Sequence, residues 1–243
     1  SIMKRRGVTH YEAEDLVRSN RTLQAALMVK TGDADTLICG SVGRFLHHLN
    51  HVMDVAEQPD GEQKLSTLNV HILDSGTVFI CDTQVTYNPN AEEIAQMTLA
   101  AAKEVKRFGV TPKVALLSHS NFGNRDSASA KKMRKALDLI RELDPELEID
   151  GEMQADSALS QVKRDEKFSG STLTGQANLL VMPNLDSANI TSNLLQVLRC
   201  GVTIGPILTG CNLPGHIVNS SVTVRGLINM TVMAVVQSIQ FKQ

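Results

Sequence analysis

Residues 116–133, LLSHSNFGNRDSASAKKM, carry the densest set of groups that could hold a ligand. An apolar run ends in Ser118, His119 and Ser120, turns through Asn121, Phe122 and Gly123, and opens into a helical pattern. Glycine permits close approach, and the helix that follows aims its first amides and its dipole back at the loop, as at phosphate sites. Arg125 could offer a phosphate a forked pair of donors, while Asp126 or Ser127 caps the helix. An ordinary strand-to-helix turn with a serine cap has the same composition and stays open as a reading. The pattern is neither G-x-G-x-x-G nor a Walker A loop, so it specifies no nucleotide. Ser118 and His119 are sequence neighbours, which on a strand sends their side chains to opposite faces. That makes them a poor nucleophile–base pair, and no G-x-S-x-G elbow occurs.

Four other stretches hold candidate groups. LEIDGEMQADSAL (147–159) places Asp150, Glu152 and Asp156 near a strand end. They could bind metal or exchange protons, but local pairing for the first two and a helix start at Asp156 is the favoured reading. VMPNLDSANI (181–190) ends an apolar run and opens a helix, so Asp186 and Asn189 could reach a ligand at the carboxyl edge of a sheet, or simply cap. GPILTGCNLPG (205–215) is a stiff, close-approach backbone built around Gly205 and Pro206, or a plain turn. In GRFLHHLNHV (43–52), His47 and His51 stand four apart on a helix without an obvious third ligand, so a solvated face is expected there rather than zinc. Arg44 is the better ligand candidate, as a phosphate partner.

These groups need a scaffold. The chain has 243 residues, 42% of them apolar and only 3% aromatic, so Leu, Val, Ile, Ala and Met must fill the core. A net charge of −2 with both signs interspersed argues against a nucleic-acid partner. No run is long enough to span a membrane, and no apolar segment follows the basic start, so a cytoplasmic protein is expected. Cys39, Cys81, Cys200 and Cys211 form no C-x-x-C pair and read as reduced, structural thiols. Strand-length runs fall at 36–40, 69–74, 77–85, 113–120, 147–153, 177–185 and 202–208. Helical patterns fill 11–30, 91–108, 126–143, 187–199 and 222–240, and 161–176 reads as a loop. Asn90 is placed to cap the helix at 91, with acidic residues at its front and basic ones at its back. Strands alternating with helices predict an α/β fold with largely parallel sheets. Two lobes are expected, 1–125 with 208–243 and 126–207.

DADTLICG, KVALLSHSNFG, PELEIDGEMQADSAL, ANLLVMPNLDSANI and GPILTG, in that order and spacing, resemble the successive blocks of the phosphotransacetylase (phosphate acetyl/butyryltransferase) family over nearly the whole chain. The resemblance implies two α/β lobes with an acyl-CoA cleft between them, and a homodimer. It also implies that the chain begins partway into the family's first lobe. At one block the chain departs. The family carries Asp-Leu-Ser-Arg-Gly and a later acid where this chain has PGHIVNSSVTVRG. Asn219 stands for the family's Ser, Ser220 for its Arg and Gly226 for its later Asp. A hydroxyl cannot supply the charge of a guanidinium, and the base that would activate a thiol is missing. Catalytic residues for acyl transfer are therefore expected to be absent.

RDSASAKKMRKAL, VMPNLDSANI and SVTVRGLINMT resemble one branch of the family, the transacetylase-like C-terminal domain of hybrid NADP-dependent malic enzymes. The resemblance implies a regulatory domain that senses acetyl-CoA. NADP and a divalent metal would be needed only in a malate-decarboxylating domain upstream. Ser118, Ser120, Asn121 and Arg125 would contact CoA or acetyl oxygens. Asn219, Ser220 and Arg225 would lie near the thioester, with Arg44, Asp186, Asn189, Gly205 and Pro206 completing the lining. A working phosphate acetyltransferase and a purely structural oligomerisation module remain as alternatives. For the latter, Ile228, Val232, Val235, Val236 and Ile239 of the tail helix could pack against a second copy.

Overall fold

The structure is a computed structural model that describes residues 7–56, 64–198 and 201–241. Cys200 and the last residue of the helix expected over 187–199 lie outside the described residues. The chain opens with α1 (His10–Ser19), α2 (Arg21–Thr31), β1 (Leu37–Cys39) and α3 (Phe45–Met53). It continues through β2 (Ser66–Leu73), β3 (Gly76–Cys81), α4 (Ala91–Arg107), β4 (Lys113–Leu117), α5 (Ala128–Leu143) and β5 (Glu148–Met153). Next come α6 (Ala155–Leu159), α7 (Gln161–Lys167), β6 (Leu179–Val181) and α8 (Leu185–Leu198). It closes with β7 (Val202–Thr209), β8 (Gly215–Ile217) and α9 (Val224–Phe241).

Two compact units result, one from Ser1–Glu62 with Gly205–Gln243 and the other from Gln63–Ile204. The division falls before β2, not at residue 125 as the sequence pattern suggested. The reason is the sheet: its strands run in the order β5-β4-β6-β3-β2-β7, so β3 and β4 flank β6 and cannot leave it. The β3–β6, β6–β4 and β4–β5 pairs are parallel, while β2 and β3 form an antiparallel hairpin. The α/β class with largely parallel pairing stands, and a hairpin through Asp74 and Ser75 replaces two of the expected independent strands. In the other unit, β1 pairs in parallel with β8. β8 lies just after a segment that the sequence could not distinguish from a turn.

The helices follow their sequence signals closely. Asn90 accepts from the Glu93 amide at 2.8 Å, and the Glu93 carboxylate accepts from the Asn90 amide at 2.9 Å, a capping box. From that start α4 buries Ile94, Met97, Ala101 and Val105 at helical spacing. The single helix expected over 11–30 is two, because Asn20 leaves helical geometry and its side chain caps α2 through the Leu23 amide at 2.9 Å. The expected loop 161–176 contains α7, organised around Arg164, which is wholly buried. Arg164 donates to the carbonyls of Ser157 (2.9 Å), Leu173 (2.9 Å) and Gly175 (2.7 Å). The segment read as a loop is thus organised by a buried guanidinium.

Candidate functional site

The Gln63–Ile204 unit contains a cavity of about 480 Å³ at the carboxyl ends of β4 and β6. Its buried lining is apolar: Val78, Leu117, Leu180 and Met182. Its more exposed lining is mixed: the polar Ser118 and His119 after β4, Ser129 in α5, and Asn184 and Ser187 at the start of α8 stand beside the apolar Leu73, Leu159 and Leu195. Among the described residues no Lys, Arg, Asp or Glu lines it. The sheet explains the position, since side chains at the carboxyl ends of parallel strands face the loops that lead into the helices. Asn184 holds the start of α8. Its Oδ1 accepts from the Ser187 amide at 2.9 Å, and its carbonyl accepts from the Ala188 amide. The helix thus begins at Leu185, two residues ahead of the expected start. Lys132 ties α5 to this edge by donating to the Pro183 carbonyl and to Asn88 Oδ1, both at 2.8 Å, and burial lowers its pKa.

Beside the cavity, loop 118–127 is organised by a carboxylate. β5 matches β4 until Leu116 faces Gly151, and then Leu117 faces Met153, so Glu152 is an extra residue in a bulge. A bulge re-aims the side chain it carries. Glycine is required before it, because Gly151 has φ +153° and a Cβ there would stand 2.7 Å from the Leu116 carbonyl oxygen. Glu152 is fully buried, and its Oε1 accepts from Ser120 Oγ (2.6 Å), the Gly123 amide (3.1 Å) and Arg134 Nη1 (3.1 Å). The Glu152 carbonyl accepts from the Phe122 amide at 2.7 Å. The amides of Ser120, Asn121 and Arg125 go to Ser118 Oγ, Asn124 Oδ1 and Ser120 Oγ, and that of Asn124 to the Asn121 carbonyl. Every amide from Ser120 to Arg125 therefore has an internal acceptor. The loop has the composition of an anion cradle, and the anion in it is the protein's own carboxylate.

This geometry sorts the residues singled out in the loop. Ser120 is buried, with its hydroxyl engaged by Glu152, Asn124 and the Arg125 amide. Asn121 is buried and pairs with Gln154, accepting from its amide at 2.8 Å and donating to its Oε1 at 2.9 Å. The Arg125 side chain is exposed. Ser127, not Asp126, caps α5 through the Ala130 amide. Ser118 and His119 are not on opposite strand faces: β4 stops at Leu117, and both side chains line the cavity. Ser118 Oγ lies 3.5 Å from His119 Nδ1, too long for a strong hydrogen bond.

Elsewhere in the unit the candidates are structural or exposed. Asp150 accepts from Arg141 Nη2 (3.2 Å), Ser171 Oγ (2.6 Å) and the Thr172 amide (3.0 Å), pinning the segment after α7. Asp156 lies in the first turn of α6 and pairs with Lys163. Asp186 is exposed, while Asn189 donates to the Thr83 carbonyl at 3.3 Å and accepts from Asn193. One organising group had no sequence signal. Asp82, inside a run read as strand to residue 85, is buried and accepts from the amides of Thr67, Gln84, Val85 and Thr86 and from the Thr67 hydroxyl. The strand ends at Cys81 because these donors turn the chain into the loop that precedes α4.

In the other unit, Arg44 is exposed at the start of α3 and Pro206 is buried in β7, next to Gly205. Asn219, Ser220 and Arg225 are exposed around the start of α9, and Asn219 Oδ1 accepts from Ser221 Oγ at 2.9 Å. The rings of His47 and His51 meet edge-on at 4.6 Å, and His51 Nδ1 lies 3.4 Å from Asp54. Among the described residues no group of three or more His, Cys, Asp or Glu is placed to hold a metal ion. Burial raises the thiol of Cys39 to about 11 and pushes those of Cys81 and Cys211 up, so none is poised as a nucleophile. No helix among the described residues is long and apolar enough to cross a membrane.

Residues 1–235 match the protein family described as phosphate acetyl/butaryl transferase. An NAD-dependent malic enzyme of Rhizobium meliloti is 51% identical over 98% of this chain, and an NADP-dependent malic enzyme of Escherichia coli is 48% identical over 98% of it. The chain spans only 31% of the length of either relative. Among solved structures, a phosphotransacetylase from Streptococcus pyogenes superposes with a TM-score of 0.92 at 27% identity, over 98% of this chain and 73% of that one.

Proposed function

Because this chain belongs to the phosphate acetyl/butaryl transferase family, we propose that it is the transacetylase-like part of a malic enzyme, binding acetyl-CoA as a regulatory ligand without transferring its acyl group. The observation that carries the reading is the degree of likeness. Identity is 51% and 48% with two malic enzymes, against 27% with the solved phosphotransacetylase. The block PGHIVNSSVTVRG supports the loss of transfer chemistry, with Asn219, Ser220 and Gly226 where the family resemblance expects a serine, an arginine and an acid. None of the three can carry the charge that phosphate and a thiolate demand. Oxidative decarboxylation of malate would belong to another part of a longer protein in the cytoplasm. NADP and a divalent metal would be held there; the two relatives' names differ in the nucleotide, and no group here is assigned to either.

Regulation would follow ordinary linkage, since acetyl-CoA shifts the protein only as far as it binds one state better than another. A homo-oligomer is the proposed setting. Ile228, Val232, Val235, Val236 and Ile239 of α9 are all exposed, each by 42–58%. Charged substitutions at Ile228 and Val232 should lower the sedimentation coefficient if a second copy covers that face. Titration calorimetry of the chain with acetyl-CoA tests the main claim. Binding without formation of acetyl-CoA from acetyl phosphate and CoA is expected. Turnover, or neither heat nor thermal shift at millimolar acetyl-CoA, would overturn it.

A further inference from the structure

The histidine pair on α3 gains in the structure the third group that its spacing alone does not supply. His47, His51 and Asp54 are separated by four and then three residues, which on a helix places them on one face. Asp54 is the C-cap of α3 and keeps helical geometry at φ −64° and ψ −25°, so the face continues through it. His51 is the unusual member. Its side chain is only 16% exposed, and both ring nitrogens are buried without a hydrogen-bond partner. Buried polar atoms are seldom left in that condition. Asp54 Oδ2 lies 3.4 Å from His51 Nδ1, within ion-pair range but not aligned as a hydrogen bond. Two ligand atoms about 2.0–2.2 Å from one tetrahedral zinc ion stand roughly 3.3–3.5 Å apart, so this separation matches an ion held between them. The ring of His47 meets that of His51 edge-on, with centroids 4.6 Å apart. His47 is exposed, so a change of rotamer brings one of its nitrogens towards the same point. As the side chains stand, no three groups surround that point, and the turn of His47 completes the set. The neighbouring His48 is engaged elsewhere, its Nδ1 with Thr22 Oγ1 at 2.8 Å and its Nε2 with the Val42 carbonyl at 2.7 Å.

We infer that His47, His51 and Asp54 hold one zinc-class divalent ion, with water in the remaining position. Imidazole ligands suit zinc, copper or nickel, whereas magnesium and calcium take oxygen. The site belongs to the unit of Ser1–Glu62 with Gly205–Gln243. It is separate from the metal that malate chemistry would need, and it does not depend on the acetyl-CoA reading. The competing account is an ion pair between a protonated His51 and Asp54, which needs neither His47 nor a metal.

The test takes the untagged chain, stripped with a chelator, and titrates it with zinc chloride by calorimetry and with cobalt(II) by visible absorption. One zinc per chain is expected, at a Kd of about 10 µM or tighter, together with the intense visible bands of four-coordinate cobalt. His47→Ala, His51→Ala and Asp54→Ala should each weaken zinc at least about ten-fold, since altering even the groups that orient a metal ligand costs that much. His10→Ala, which removes the exposed partner of Glu14 in α1, should change nothing. If His51→Ala does not fold, His47→Ala at its exposed position decides alone. Lack of saturable binding up to about 100 µM zinc overturns the inference. So does undiminished binding by His47→Ala, a thiolate charge-transfer band that places cobalt on cysteine, or equal affinity for magnesium.

Discussion

Replacing Glu152 should unmake the loop at residues 118–127 and, in doing so, expose the anion site that the carboxylate fills. In Glu152→Ala the Gly123 amide loses its acceptor, Ser120 Oγ keeps Asn124 as its one acceptor and the Arg125 amide as its donor, and Arg134 keeps Asp126 and the Arg125 carbonyl. Hydrogen bonds to a charged partner contribute about 1.5–3 kcal/mol each, and breaking one side of a buried pair costs about 3–5 kcal/mol. Because two of the three donors retain a second acceptor, about 3–4 kcal/mol is expected, a fall in Tm of roughly 6–16 °C for a chain of this size. Glu152→Gln keeps the shape and one acceptor oxygen, and should cost about half as much. Urea unfolding gives the stability, and hydrogen exchange of the Ser120–Arg125 amides gives the local effect. The distinctive outcome is rescue. Sulfate should stabilise Glu152→Ala in proportion to its occupancy, by RT ln(1 + [sulfate]/Kd), and leave the unmodified chain nearly unchanged. A loss below about 1 kcal/mol, or equal stabilisation of both proteins by sulfate, would refute the claim that Glu152 is the loop's resident anion.

Three further outcomes follow from buried polar groups and one glycine. Arg164→Met should cost roughly 3 kcal/mol or more in thermal unfolding, because the carbonyls of Ser157, Leu173 and Gly175 lose their donor together. Acidification should destabilise both units, since burial lowers His71 and His216 to about 4. The unfolded chain binds these protons from about pH 6.5, so stability is full above that value and falls as pH drops towards 4, by up to about 3 kcal/mol per histidine. Paired His71→Gln and His216→Gln variants should flatten that part of a pH-stability curve. Gly40→Ala should disrupt the pairing of β1 with β8, because its φ is +97° and a Cβ would stand 2.2 Å from the Val218 carbonyl oxygen. Calorimetric unfolding should show a loss above about 2 kcal/mol.

Much of the fold was legible because local signals agreed with tertiary needs. Asn90 with Glu93, the apolar spacing of 91–108 and the apolar run at 114–117 each point to one structure, and each element forms there. The errors have a common cause. Asn20, Asp82 and Arg164 act through side-chain contacts with backbone groups, which apolar periodicity does not register. A run such as TVFICDTQV looks like an uninterrupted strand until Asp82 gathers the amides of Gln84, Val85 and Thr86. The unit boundary was misplaced for a related reason. Strand order is a long-range property, and nothing in residues 63–125 announces that β3 and β4 share β6 as a neighbour.

The candidate site shows how composition and chemistry can part. A turn rich in Ser, Asn and Gly before a helix is the right material for holding an anion, and Glu152 proves that it does so. Sequence cannot say whether that anion arrives in a ligand or on a bulge 30 residues downstream, because the decision depends on one extra residue in the register of β5 against β4. The signal was nonetheless present: Gly151 beside an acid in EIDGEM marks a place where backbone approaches backbone and the next side chain is turned inward. With the carboxylate filling the loop, the open volume beside it is a cavity lined in part by Ser118 and His119, which the loop's own polarity had hidden.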